Sequence, residues 1–208
     1  MKVLLLNGSP RGNKCTRTAL EIVAAEINKA NIETEIFDIG PKPIQGCIGC
    51  GGCVKKGCCV FGDNDGVNEF VNKMKECDGL IVGSPVHYAA ASGAVTSFLD
   101  RAFYSGKSAF TYKPASAIVS CRRGGATAAF EQLNKYFSIS NMPIVSSNYW
   151  NMVHGNTPED VLKDEEGVQT MRMLGKNMAW LLNCIKTGKD NGFDIPEQEE
   201  KIKTNYIR

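Results

Sequence analysis

The stretch "KVLLLNGSPRGNKCTRTALEIVAAEINK", residues 2–29, decides the fold. It carries three signals in order. "KVLLLN" (2–7) is a short, nearly continuous apolar run, as expected of a strand buried on both faces. "NGSPRGNKCT" (7–16) is polar and rich in turn formers. Leu20, Val23, Ala24 and Ile27 then recur at helical spacing.

The same order repeats along the chain. "ETEIFDI" (33–39) alternates, as a strand near a sheet edge does. Val67, Phe70, Val71 and Met74 make a helical face, and "GLIVGS" (79–84) is a buried strand. Val95, Phe98, Leu99 and Ala102 mark the next helix, and "SAIVSC" (116–121) the next strand. Ala129, Leu133, Tyr136 and Phe137 follow as a helix, and "MPIVSS" (142–147) is expected to be the fifth strand. Val168, Met171, Met178, Leu181 and Ile185 line a last helix. The piece from Tyr149 to Gly167 is an excursion, because plain connections of that length are uncommon.

Strands alternating with helices imply an α/β fold: a doubly wound, five-stranded parallel sheet with helices on both faces. Right-handed crossovers leave few topologies, of which 2-1-3-4-5 is the expected order. Residues 1–187 then form one domain, with a cysteine-rich loop (47–59) inserted after strand 2, and 188–208 form a polar C-terminal tail.

Composition narrows the function. The 208 residues are 43% hydrophobic and 22% charged, enough for a real core, and net charge is +2. No run of like charges marks a nucleic-acid partner, and no apolar stretch approaches a membrane span. The apolar run at the N-terminus is too short for a signal peptide. Nine cysteines, an odd number, disfavour a disulfide framework, so a cytoplasmic setting with reduced thiols is expected.

In the order 2-1-3-4-5, ligands bind outside the C-terminal ends of the strands, where the order reverses. After strand 1, Gly8, Pro10 and Gly12 let backbone amides converge, Ser9, Asn13 and Thr16 offer donors, and Arg11 a charge. A helix start follows, which suits a phosphate. The spacing is neither a Walker loop nor a Rossmann fingerprint, and a polar turn without a ligand is the plainer reading. After strand 3, in "GSPVHYAAASGAV" (83–95), small residues admit a flat group, and His87 and Tyr88 stand where they would flank it. After strand 4, "CRRGGAT" (121–127) aims two arginines and two glycines at the same edge. That charge suits the electron-rich side of a reduced flavin. A solvated basic helix start reads the same way taken alone. Three such loops at one edge point to a mononucleotide with a flat ring.

The segment "CIGCGGCVKKGCC" (47–59) holds five cysteines. Cys47-x2-Cys50-x2-Cys53 is the compact spacing by which one iron–sulfur cluster gathers thiolates, with Cys58 or Cys59 as the fourth. Zinc usually takes two pairs with a longer gap, and a thiol-exchange pair opens a helix, whereas Gly49, Gly51 and Gly52 favour a loop. Free thiols are the remaining reading.

"GSPRGNKCT", "GSPVHYAAASGAVTSFLDRAF" and "RRGG" together resemble the NADPH-dependent FMN reductase family of the flavodoxin-like superfamily, over roughly residues 2–186. The cysteine segment resembles that of the iron–sulfur flavoproteins in that group. The resemblance implies a flavodoxin-like fold, non-covalent FMN, NAD(P)H as electron donor, and homodimers or homotetramers. By position, Ser9, Arg11, Asn13, Cys15 and Thr16 match the phosphate loop. Pro85, Val86, His87 and Tyr88 match the segment along the flavin ring, and Arg122, Arg123 and Gly124 the loop near its pyrimidine edge. Tyr149 and Trp150, in "SNYWNMVHG" (147–155), cover a flavin or pack a dimer interface.

In the resembling proteins the last cysteine precedes an apolar residue and then an acidic pair. "CVFGDND" (59–65) has that form, which makes Cys47, Cys50, Cys53 and Cys59 the expected ligands of a 4Fe-4S cluster. No residue is required as acid or base, His87 being the nearest candidate. The expected function is an FMN-dependent NAD(P)H oxidoreductase serving a small-molecule or redox-protein electron acceptor. The alternative is a non-enzymatic electron carrier, although typical flavodoxins, as the resemblance has it, are strongly acidic and this chain is not. A signalling receiver is set aside, because Asn7-Gly8-Ser9 supplies no carboxylate for magnesium.

Overall fold

The computed structural model describes residues 1–61 and 64–206. The acidic pair expected after Cys59 therefore lies partly outside the described residues, because Asp63 is not among them.

The opening strand is β1 (Lys2–Asn7), followed by α1 (Cys15–Lys29) and β2 (Glu33–Asp38). Next come α2 (Gly52–Lys56), α3 (Val67–Lys75) and β3 (Gly79–His87), then a two-residue strand β4 (Ala90–Ala91) and α4 (Gly93–Ser105). After a short 3-10 turn run β5 (Ala115–Cys121), α5 (Ala126–Ser138), β6 (Met152–His154), α6 (Pro158–Lys163) and α7 (Glu165–Asp190).

The sheet order is β2-β1-β3-β5-β6, with β4 folded back antiparallel on β3. Without that small hairpin, this is the expected 2-1-3-4-5 arrangement of parallel strands. Alternation sends successive side chains to opposite faces. Leu4, Leu6, Leu80, Val82, Ala117 and Val119 meet α3, α4 and α5 on one face. Val3, Leu5, Ile81 and Ile118 meet α1 and α7 on the other. β1 is buried on both sides, with Val3 to Leu6 at 0% exposure, while β2 is the half-exposed edge.

The apolar faces expected of α1, α3 and α4 are buried as read, and in α5 Tyr136 is only partly covered. In α7 the buried face runs through Met171, Leu174, Met178 and Leu182, with Leu181 partly covered, and the helix ends at Asp190, just beyond the expected start of the tail.

Two expectations need correction. The fifth strand is not 142–147. Ile144 makes only an isolated bridge to Ala115, and regular pairing resumes at Met152–His154 beside Val119–Cys121. Between them the chain bulges out, tied back by Asn151, whose Nδ2 donates to Ser116 Oγ (2.9 Å) and to the Ala117 carbonyl (3.0 Å). The cysteine segment is also not loop throughout, because the short helix α2 begins at Gly52. Gly51 and Gly57 make that helix possible by taking left-handed conformations at its two ends (φ +67° and +73°).

Register places the strand ends level. Asn7 pairs with Asp38 on one side and Gly83 on the other, Pro85 with Ser120, and Cys121 with His154. The loops that follow β1, β3 and β5 therefore open at one edge.

Candidate functional site

The first loop is built around Asn7, which is fully buried. Its Nδ2 donates to Asp38 Oδ1 (2.6 Å) and to the Gly12 carbonyl (3.1 Å), and its Oδ1 accepts from the Ser9 amide (3.2 Å). Ser9 Oγ accepts from the Arg11 amide (3.2 Å), closing a tight turn. This leaves Arg11 and Asn13 exposed on the outside of the loop. At the start of α1, Lys14 provides no side-chain cap, and the first turn holds no acidic residue. The free amides and the helix dipole there favour an anion. Cys15 is buried, and burial pushes its thiol pKa up. A neutral thiol puts no negative charge beside a phosphate. Thr16 is also buried, and its hydroxyl shares a hydrogen bond with Ser120 Oγ at the end of β5 (2.8 Å).

The second loop touches the first. The Gly8 amide donates to the Gly83 carbonyl (2.8 Å), and Ser92, the cap of α4, donates through Oγ to the Gly8 carbonyl (3.3 Å). Pro85 and Val86 are half-buried, and His87 and Tyr88 are exposed. Tyr88 and Ala89 both have positive φ (+50° and +57°). Two non-glycine residues in this region cost about 1–3 kcal/mol each, and such strain clusters at ligand sites. Tyr88 is held there, fully solvent-facing, by the β3–β4 hairpin.

The third loop meets the second at Gly125. Its φ is +90°, and a Cβ there would lie 2.7 Å from Ala89 Cα. Only glycine permits this approach. Arg122, Arg123 and Gly124 are exposed, and α5 also starts without a side-chain cap or an acid in its first turn. Among the described residues, the side chains of Arg11, Arg122 and Arg123 form no ion pair. The edge thus offers free guanidinium groups at two loops and uncapped amides at two helix starts. These residues fit a phosphorylated flavin: an anionic end at α1 and an electron-rich ring edge at 122–124.

Just before β6, Tyr149 and Trp150 pack edge-on (centroids 5.1 Å apart, 61°) and stay half-exposed. With His154, Asp164 and Thr170 they wall a cavity of about 240 Å³.

The cysteine segment lies against α3 and α4. Cys47, Cys50, Cys53 and Cys59 line one small cavity together with Phe61, Arg101 and Tyr104, and Cys58 is not part of its wall. Among the described residues no three His, Cys, Asp or Glu side chains gather closely enough to hold a single metal ion. Around one zinc, four sulfurs would stand within about 4 Å of each other. A 4Fe-4S cluster would draw one thiolate from each of four cysteines, and four line this cavity. Cys59 is the most firmly held. Its amide donates to Asn68 Oδ1 (2.9 Å), and its carbonyl accepts from Asn68 Nδ2 (3.0 Å). Arg101 Nε donates to its sulfur (3.2 Å). Arg101 sits eight residues into α4 from Gly93, roughly 12 Å along the helix from the flavin-side loops.

Asn68 and Arg101 were not among the expected site residues. The signal available for Arg101 was its place between Phe98 and Ala102, a charge next to the apolar stripe of α4.

The model of the NADPH-dependent FMN reductase family matches residues 1–157. An iron–sulfur flavoprotein of Methanocaldococcus jannaschii is 35% identical over 199 residues, covering 89% of this chain and 100% of that one. An iron–sulfur flavoprotein of Methanosarcina thermophila is 26% identical over 199 residues, covering 91% and 100%. Among solved structures, a WrbA-like flavodoxin from Agrobacterium tumefaciens superposes with a TM-score of 0.63 at 14% identity, over 88% of this chain and 98% of that one. A flavone reductase superposes with a TM-score of 0.66 at 16% identity, over 89% and 64%. These structural likenesses establish the flavodoxin-like fold. With a match running from the first strand past the third loop, the chain belongs to the NADPH-dependent FMN reductase family.

Proposed function

We propose that this FMN-dependent oxidoreductase takes electrons from NADPH or NADH and releases them through a 4Fe-4S cluster held by Cys47, Cys50, Cys53 and Cys59. The observation that carries the reading is the convergence of the loops after β1, β3 and β5 at one edge, with four cysteines lining a single cavity on the adjoining α4 face. When bound, FMN would supply the chemistry, taking the hydride of the nicotinamide, which leaves the reduced ring anionic, and giving the two electrons up singly.

The chain's own residues bind and orient. The amides at the start of α1 and Arg11 hold the phosphate end. Val86 and Tyr88 border the ring, and Arg122 and Arg123 place positive charge where a reduced ring is negative. His87 is exposed and receives no fixed proton-transfer role from its surroundings. Tyr149 and Trp150 are the surface on which a second copy of the chain would close the flavin site, in a homodimer or homotetramer. Among the described residues no helix is long and apolar enough to cross a membrane. A cytoplasmic setting, where thiols stay reduced, goes with the cluster. The acceptor is a small molecule or a redox protein.

Anaerobic purification tests this reading. The chain should carry flavin by absorption, be bleached by NADPH or NADH, and yield iron and acid-labile sulfide. Flavin-loaded protein left unbleached by both nucleotides would refute the enzyme reading, and absence of sulfide after reconstitution would refute the cluster.

A further inference from the structure

We infer that Arg101 is a positioning residue that sets the reduction potential of the cysteine centre; the inference rests on the cluster reading above. Arg101 is 2% exposed, and every guanidinium nitrogen is engaged. Nε donates to Cys59 Sγ at 3.2 Å. Nη1 donates to the Gln45 carbonyl (3.2 Å) and to Asp65, and Nη2 donates to Asp65 Oδ1 (3.3 Å). The Phe61 ring lies 5.5 Å from the guanidinium carbon. A guanidinium holds its charge across the ordinary pH range, and here it is paired with Asp65.

This geometry does more than hold a loop. Asn68 already fixes the Cys59 backbone through two hydrogen bonds, so the donor on the sulfur is not needed for that. Asp65 engages both Nη groups, which leaves Nε free to donate to Cys59. The Gln45 contact sets the chain two residues before Cys47. One side chain therefore ties both ends of the cysteine segment together and points an N–H at one ligating sulfur. Hydrogen bonds to the sulfurs and nearby charge are what tune a cluster's potential. A reduced cluster carries one more negative charge than an oxidised one, so a donor and a cation beside Cys59 favour the reduced form. Asp65 offsets part of the charge and leaves the hydrogen bond as the directed component.

The test uses anaerobically reconstituted wild type, Arg101→Lys and Arg101→Met. Iron, sulfide and FMN are assayed per chain, and the cluster potential is read by titration followed by electron paramagnetic resonance. The expected result is a more negative potential in both variants. Arg101→Met should shift the one-electron equilibrium at least tenfold toward the oxidised form, about 59 mV. Arg101→Lys, which keeps a cation but not the fork, should fall between Met and wild type. If Arg101→Met fails to hold a cluster, Arg101→Lys decides alone. A wild-type cluster whose potential is unchanged in Arg101→Lys overturns the inference. A wild-type chain that takes up no iron and sulfide overturns the cluster reading, and the inference with it.

Discussion

At the scale of single residues, the cysteine site depends on side chains that sequence patterns treat as ordinary. Asn68 stands on α3 beside the apolar Val67, and its period marks it as a polar neighbour of a buried face. In the structure it is 8% exposed and satisfies both the amide and the carbonyl of Cys59. Asn68→Ala leaves those two buried groups without partners, which should cost about 2–3 kcal/mol. Urea unfolding at neutral pH checks this, and a loss no larger than an ordinary surface substitution would mean that water replaces the clamp. The choice of Cys59 over Cys58 rests on the same logic. Adjacent residues differ in burial because the chain turns between them, and only Cys59 reaches the cavity wall. In the sequence, spacing alone admits either cysteine, and it is the resemblance to the iron–sulfur flavoproteins, carried by Val60 and the acidic residues beyond it, that points to Cys59. The reason it is fixed, Arg101 from one helix and Asn68 from another, lies in contacts between distant segments, 42 residues apart in the case of Arg101.

At the scale of elements, the buried strands and amphipathic helices are legible because their patterns repeat over several turns or pleats. The edges are less so. β6 has only three residues, and the chain before it is held by Ser147 and Asn151 rather than by a ladder. "MPIVSS" has strand composition, but a polar side-chain network decides where pairing starts. At the opposite edge, β2 is tied to its neighbours by charge. Glu35 on β2 meets Lys2 on β1 (2.7 Å) and Lys73 on α3 (2.8 Å). Its hydrogen bonds to Lys2 and then Lys73 hold its carboxyl pKa below the ordinary value. A carboxylate with a depressed folded-state pKa contributes stability above its unfolded pKa, and this is lost as pH falls through the folded value. Stability should therefore drop on acidification below about pH 4.5 by less in Glu35→Gln than in wild type. Urea midpoints at pH 7 and pH 3 measure the difference. Equal losses in the two proteins would show that solvent screens the cluster completely.

At the scale of the whole molecule, parallel topology does the functional work. Each right-handed crossover returns the chain to the same end of the sheet, so loops far apart in sequence meet at one edge. That much comes from strand order, and it is why three loops were identifiable as one site. The structure adds how closely they approach: Gly8 against Gly83, Gly125 against Ala89, and Thr16 against Ser120. A ligand that binds across all three loops must stabilise the fold as a whole, since the unfolded chain scatters them. Free FMN at one hundred times its dissociation constant should add about 2.7 kcal/mol to the stability of flavin-free protein. For a chain of this size that raises the thermal midpoint by roughly 5–10 °C. Replacing Arg122 and Arg123 by Gln removes exposed charge that no carboxylate in the described residues uses, so the flavin-free midpoint should stay nearly unchanged. The same double variant should need a higher FMN concentration for an equal rise. A wild-type midpoint that does not move with FMN would mean the edge is not its binding site. An unaltered concentration dependence in the double variant would remove the two arginines from that site.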